Sequence, residues 1–404
     1  MGNYFRNADE QRTHGSREEL QEYLDFCKEG DRWVTPYGTE VTMVLMDPEN
    51  ELFKDAYKSD FSPTPEKPDM VASGVEDEQG FEDAFRSTGM LAVFPLGNKM
   101  VAYPVIWTAE QGVYGRAGLY GPTIANNVET ARRRHLQNNL RASWLTQGIN
   151  LLKGRVVLLL RDGVVSGFNS DEYAVLPVYE AIPILEKKLK EDRPDATYVS
   201  GMVNHEFLMA EYDLKDPAAS DGLSQILKKA GQQVDSLTAC VRFSTSDTAA
   251  AMLQATPYYV LNGVPIRLGK GTGIKHTGNA TMENWEKSLD SLGMLFKECE
   301  DQVEKLGNTV INHPAGCLQR VAEKARLPIT ATREVVERML LRFAGKTGCY
   351  AIDVYLALNE IVDLACKNEN YTPKKVLDLS EEVAKCLNIK FEYFDAPYVD
   401  PDNE

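Results

Sequence analysis

The hydrophobic pattern changes period once along the chain. Up to about residue 280, short apolar runs rich in β-branched residues alternate irregularly with helix-length stretches, and from Thr281 onward only helical periodicity continues. A two-residue period suits a strand and a 3.6-residue period suits a helix, so the pattern confines the chain to the α+β class. The expected architecture is a mixed, mainly antiparallel strand-and-helix body followed by an all-helical C-terminal segment. The uneven spacing of strands and helices disfavours a doubly wound parallel sheet, which needs regular βαβ units.

The clearest local element is a hairpin. Arg155 to Arg161 and Val164 to Phe168 are apolar runs separated by Asp162-Gly163, and this dipeptide supplies the positive φ that a two-residue turn requires. Upstream, Ser16-Arg-Glu-Glu19 has capping-box spacing and precedes Leu20, Tyr23, Leu24 and Cys27 at helical intervals, ending before Gly30. Val41 to Met46, Leu91 to Leu96 and Met100 to Trp107 read as strands, the last two joined at Gly97-Asn98. Between Glu51 and Pro68 the prolines Pro63, Pro65 and Pro68 mark an exposed connection.

Pro122 to Gly148 reads as a helix with Val128, Ala131, His135, Leu136, Leu140, Trp144 and Leu145 facing inward and Arg132, Arg133, Arg134 and Arg141 elsewhere. A helix follows Pro177, then strands at Tyr198 to Val203 and Glu206 to Tyr212, a helix at Gly222 to Val234 and a strand at Leu237 to Thr245. Pro257 to Leu268 is strand broken at Asn262-Gly263. Helices are expected at Thr281 to Leu306, Pro314 to Arg326, Thr332 to Ala344, Ala351 to Lys367 and Ser380 to Leu387. A chain of 404 residues exceeds one ordinary core, and the pattern suggests 1–84 as an N-terminal α+β region, 85–280 as the body and 281–404 as the helical segment.

The net charge of −16 repels polyanions and argues against general coating of nucleic acid, while leaving room for a local basic groove. The acidic stretches Val75 to Asp83 and Asp395 to Glu404 read as solvated surface. Seven cysteines, without a Cys-x-x-Cys pair, suit reduced and buried thiols in a cytoplasmic protein rather than a disulfide framework or a zinc site. No apolar run reaches the ~18 residues that span a membrane. Arg6 stands where a myristoylation signal wants Ser or Thr, and no secretory signal core follows.

Gly269-Lys-Gly-Thr-Gly-Ile-Lys-His-Thr-Gly278 lies between a strand and a helix, where backbone amides and a helix N-terminus can hold an anion, with Lys270, Lys275 and His276 adding charge or donors. It is not a Walker loop: Gly263 lies one position too far from Gly269, and Gly271 occupies the Ser/Thr position. A turn or flexible loop is the plainer reading. Gly345-Lys346-Thr347 follows a helix and has Leu340 in place of the upstream glycine, which makes Gly345 a helix C-cap. The five histidines form no pair at metal-ligand spacing, and no Gly-x-Ser-x-Gly elbow is present, so neither a metal, a cofactor nor a catalytic nucleophile is assigned. Arg132-Arg133-Arg134 must fan across more than half a helix circumference, serving internal salt bridges or phosphate contacts.

Five segments resemble the phage- and plasmid-associated family catalogued as domain of unknown function 932. They are Leu160-Arg-Asp-Gly163, Ser170-Asp-Glu-Tyr173, Val241-Arg-Phe-Ser-Thr-Ser-Asp247, His276-Thr-Gly278 and Tyr350 to Ala365 with Asn359 inside it, spread over roughly residues 85 to 370. The resemblance carries no catalytic residues. It implies an accessory protein of mobile elements, acting in phage or plasmid DNA metabolism such as single-strand binding, annealing or recombination.

Three readings follow. The first is a non-enzymatic, homo-oligomeric DNA-binding protein contacting phosphates of single-stranded nucleic acid through Arg132, Arg133, Arg134, Lys270, Lys275 and His276. The second is an enzyme or sensor holding a nucleotide or small anion at Gly269 to Gly278. The third is a factor that binds a host protein through its acidic surface.

Overall fold

The computed structural model describes residues 11–45, 88–119, 138–152, 154–204, 207–367 and 371–400. In chain order, the first part comprises β1 (Gln11–His14), α1 (Arg17–Gly30), β2 (Arg32–Val34), β3 (Thr42–Leu45), β4 (Met90–Leu96), β5 (Lys99–Val105), α2 (Trp107–Arg116), α3 (Asn138–Asn150), β6 (Val156–Arg161) and β7 (Val164–Ser170). The central part comprises α4 (Val178–Asp192), β8 (Thr197–Asn204), β9 (Leu208–Asp213), α5 (Pro217–Lys229), β10 (Leu237–Thr245), β11 (Leu253–Leu261), β12 (Val264–Ile266) and β13 (Thr272–Ile274). Thereafter come α6 (Met282–Leu289), α7 (Leu292–Gly307), β14 (Val310–Ile311), α8 (Pro314–Lys324), α9 (Ile329–Arg342), β15 (Cys349–Tyr350), α10 (Ala351–Cys366) and α11 (Pro373–Cys386). The class is α+β, with a C-terminal segment that is helical apart from the two-residue strands β14 and β15.

Two sheets organise the molecule. One has the order β2-β6-β7-β5-β4-β3, antiparallel except for a single parallel contact between Val105 and Val165. The other runs β1-β8-β9-β10-β11-β12, with β13 also pairing to β11, and is antiparallel throughout. The first sheet has its own core, in which Val41, Phe94, Val113, Leu145 and Leu158 meet. The second shares one continuous core with α1 and the C-terminal helices, centred on fully buried Phe243, Tyr259, Trp285 and Tyr355.

Turn chemistry sets the register. Asp162 (φ 51°) and Gly163 (φ 75°) form the tight turn between β6 and β7, so that Arg161 opposes Val164. Asn262 (φ 51°) and Gly263 (φ 83°) repeat the device between β11 and β12. Positive φ at both central positions matches the right-handed twist of the strands, which is why Asp-Gly and Asn-Gly are found there. Ser16 caps α1 by accepting from the Glu19 amide at 3.2 Å, an arrangement that contributes about 1 kcal/mol.

Several elements depart from the sequence reading. Trp107 opens α2 instead of ending a strand, because the β5 strand stops at Val105 and Ile106 turns the chain. Of the helix expected over 122–148, only α3 falls within the described residues, and its buried stripe is Arg141, Leu145 and Ile149. Trp144, expected inside, is 46% exposed, while Arg141, expected outside, is buried against α2 with its Nη2 donating to Tyr114 Oη at 3.2 Å. The stripe is rotated because that arginine finds a partner inside. The start of the acidic tail also does more than meet solvent: the Asp395 carboxylate accepts from the amides of Asn312 and His313 at the start of α8. All seven cysteines are free thiols, six of them buried. No helix among the described residues is long and apolar enough to cross a membrane.

Candidate ligand-binding cleft between the sheets

Arg161 closes β6 at 5% exposure, and β2 brings Asp31 beside it because Arg32 pairs with Leu160. Its Nε donates to Asp31 Oδ1 at 2.6 Å and its Nη2 donates both to Asp31 Oδ2 at 2.5 Å and to Asp247 Oδ2 at 2.7 Å. Asp247 follows β10, so one guanidinium ties the two sheets together. Burial penalises the Arg161 charge, yet Asp31 and its neighbours hold its pKa well above the ordinary value. Burial likewise pushes the Asp31 carboxyl up, against the pull of Arg161. Charges this deep persist only when paired and hydrogen-bonded.

A second layer lies over this pair. Tyr173 Oη donates to the Asp247 carbonyl at 3.0 Å, and its ring stacks between Trp33 at 5.5 Å and His276 at 5.3 Å. His276 Nε2 lies 3.2 Å from Thr245 Oγ1, at the end of β10. Burial lowers the His276 pKa, opposed in part by Asp247. Backbone contacts complete the junction: Ala174 N donates to the His276 carbonyl at 3.0 Å, and Gly278 N donates to the Glu172 carbonyl at 2.9 Å.

Beside this network a cleft of about 600 Å³ opens between the sheets. Its walls come from α2 (Gln111, Gly112, Arg116), β7 and the turn after it (Asn169, Ser170, Tyr173), the β10–β11 loop (Thr248 to Met252) and the segment after β13 (Lys275 to Thr277). Gly112 is needed where α2 crosses β7, since a Cβ there would strike the Phe168 carbonyl. The β10–β11 loop is folded on Ser246, whose Oγ accepts from the amides of Thr248 at 3.2 Å and Ala250 at 3.0 Å. Among the described residues, none that lines the cleft is Asp or Glu, in a chain that carries 60 of them. Arg116 and Lys275 both line the cleft, and neither has a carboxylate partner among the described residues. A cleft whose described wall has two cations and no carboxylate favours an anionic occupant.

The residues singled out from sequence are distributed unevenly around this site. Lys275 and His276 reach it, Lys275 as an exposed cation and His276 as a buried stacking partner. Lys270 is exposed but precedes β13, whereas Lys275 follows it, and Lys270 is not part of the cleft wall. Arg132, Arg133 and Arg134 lie outside the described residues. The glycines of the Gly269 to Gly278 segment have a packing explanation: a Cβ at Gly271 would meet Gln254, Thr256 and the Ala255 carbonyl, and one at Gly273 the Leu253 carbonyl. They let β13 lie against β11. The following helix α6 is capped by its own Thr281 and Asn284 side chains. Sequence reasoning missed Asp31 and the central role of Arg161, Tyr173 and Asp247. The last three lie in segments of the family resemblance, and four of those five segments meet here.

Among the described residues no group of three or more His, Cys, Asp or Glu is placed to hold a metal ion. Burial raises the pKa of Cys27, Cys240, Cys299 and Cys317 to about 12, so these four are neutral thiols at ordinary pH. No family model, curated protein or solved structure matches this chain.

Proposed function

We propose that this is a non-enzymatic DNA-binding protein of phage or plasmid type, which takes up phosphates of single-stranded DNA in the cleft between the sheets. The observation that carries the reading is that, among the described residues, the cleft wall has no carboxylate and Arg116 and Lys275 have no carboxylate partner, in a chain of net charge −16. Acidity elsewhere keeps polyanions off the remaining surface and leaves the cleft as the place where phosphate is tolerated. The resemblance to domain of unknown function 932 supports the same setting, with annealing or recombination as the transaction. The reading includes a cytoplasmic location and assembly of copies along a strand.

A nucleotide is the second occupant to weigh, because about 600 Å³ is within the size range of small-molecule sites. A host protein as partner rests on the acidic surface alone. Fluorescence polarisation with labelled single-stranded DNA across a salt series separates these readings. DNA uptake that weakens log-linearly with salt, and is not displaced by mononucleotide, supports the first. Displacement by mononucleotide at equal phosphate concentration supports the second. Absence of DNA binding at low salt removes the first, and absence of binding of a labelled mononucleotide removes the second.

A further inference from the structure

A second, smaller site lies where α10 and α11 meet β10, β11 and β12. Arg267, which follows β12, is 5% exposed. Among the described residues its Nε and Nη1 have no hydrogen-bond partner, which leaves three of its five N–H groups unused. Its Nη2 is 3.3 Å from Thr256 Oγ1 and 3.7 Å from Glu381 Oε1, a distant pair with a half-exposed carboxylate. The backbone around it is fixed: Arg267 N donates to Asn359 Oδ1 at 3.0 Å, and the Tyr355 hydroxyl donates to the Arg267 carbonyl. These contacts fix where the side chain leaves the backbone, and the guanidinium itself lies buried against Thr256.

The neighbouring charged groups are already committed elsewhere. Arg242 shares the cavity, with its Nε and Nη2 committed to Glu211 Oε1 at 2.9 and 2.7 Å and its guanidinium over the Tyr258 ring. Asp363, the one carboxylate in the cavity wall among the described residues, is held by Lys367 Nζ at 2.9 Å. Burial and the neighbouring Arg242 lower the Arg267 pKa to about 10, with Glu381 opposing. The cavity between these groups has a volume of about 60 Å³. That is room for more than one water, which needs about 10–15 Å³. Water satisfies N–H groups but does not neutralise a buried cation.

We propose that this cavity is a binding site for a free inorganic oxyanion of phosphate or sulfate size, held by Arg267 and Arg242. The anion fastens the end of β12 to α10 and α11, and the site is separate from the cleft, with no lining residue in common. The space of about 60 Å³ matches a small oxyanion rather than a whole nucleotide, and the proposal commits to the free anion.

The test is the unfolding temperature of the full chain, titrated with sodium phosphate at constant ionic strength set by sodium chloride. Wild type is expected to show a saturable rise of several degrees, and Arg267→Met, an apolar replacement of similar length, to show none. Arg242→Met is expected to reduce the rise without removing it. A flat wild-type titration with both phosphate and sulfate contradicts the site whether or not the variants fold. So does an equal rise in wild type and Arg267→Met, or a rise with deoxyadenosine 5′-monophosphate that Arg267→Met abolishes.

Discussion

Arg161 Nη2 and Asp247 Oδ2 lie 2.7 Å apart and join the end of one sheet to the end of the other, with both side chains nearly sealed from water. Removing the guanidinium leaves Asp31 and Asp247 buried without a counter-charge. Arg161→Met should cost about 3–5 kcal/mol in urea unfolding, the range for breaking a buried pair. Arg161→Lys should recover little of it, because one ammonium cannot reproduce the fork that reaches two carboxylates. Equal stability of Arg161→Lys and wild type would show that charge alone, not geometry, holds the junction.

His276 gives the junction a pH dependence. Burial holds its folded pKa below the ordinary value of 6.5, while in the unfolded chain it takes up a proton near that pH. The unfolded state therefore binds more protons between the folded pKa and about pH 6.5. The contribution is fully present above that pH and is lost as pH falls through the window. His14, also lowered by burial, acts in the same direction, so the comparison must isolate His276. Urea unfolding of wild type and His276→Gln at pH 7.5 and 5.5 should show a smaller loss in the variant, with each His contributing at most about 1.4 kcal/mol per pH unit.

The glycines before Lys275 should behave as packing residues. A methyl group at Gly273 meets the Leu253 carbonyl and would push β13 off β11, so Gly273→Ala should lower stability by about 1–3 kcal/mol, the cost of overpacking. Gly278→Ala, where the added Cβ meets open space but φ is 65°, should cost about 1–2 kcal/mol from the backbone alone. Thermal unfolding of the two variants checks both values. A neutral Gly273→Ala would return the segment to a loop with its glycines free for other use.

At the β6–β7 turn, Gly163→Val places a β-branched residue at φ 75°. The expected loss is about 2 kcal/mol or more, since the left-handed region costs a non-glycine residue about 1–2 kcal/mol and branching adds to it. Amide hydrogen exchange should show the loss first in β6 and β7, the strands that the turn aligns.

The parts of the fold legible in sequence are those fixed by local chemistry. Asp162-Gly163, Asn262-Gly263 and the Ser16 cap each rest on the conformational preference of one or two residues, and each is found. The α3 stripe is not legible, because Arg141 counts as polar in any pattern and yet is buried on Tyr114. β1 and β2 give little signal because they are only four and three residues long and carry few apolar side chains. The junction is less legible still. Arg161 is 130 residues from Asp31 and 86 from Asp247, so nothing in the local sequence marks the three as partners. Lys275 stands out by its glycine-rich setting, whereas Arg116 at the end of α2 and Ser170 at the end of β7 are brought beside it by the packing of elements distant in sequence.

The cleft reading is tested most directly by charge reversal inside and outside it. Single-stranded DNA affinity is measured at several salt concentrations for wild type, for Arg116→Glu/Lys275→Glu, and for Lys270→Glu as the control outside the cleft wall. The double variant should bind at least about tenfold more weakly, with the slope of log affinity against log salt reduced by about 0.7 for each phosphate that is no longer neutralised. Lys270→Glu should bind within about twofold of wild type, since a distant surface charge is largely screened. An unchanged affinity and slope in the folded double variant, or no DNA binding by wild type at low salt, would contradict the account.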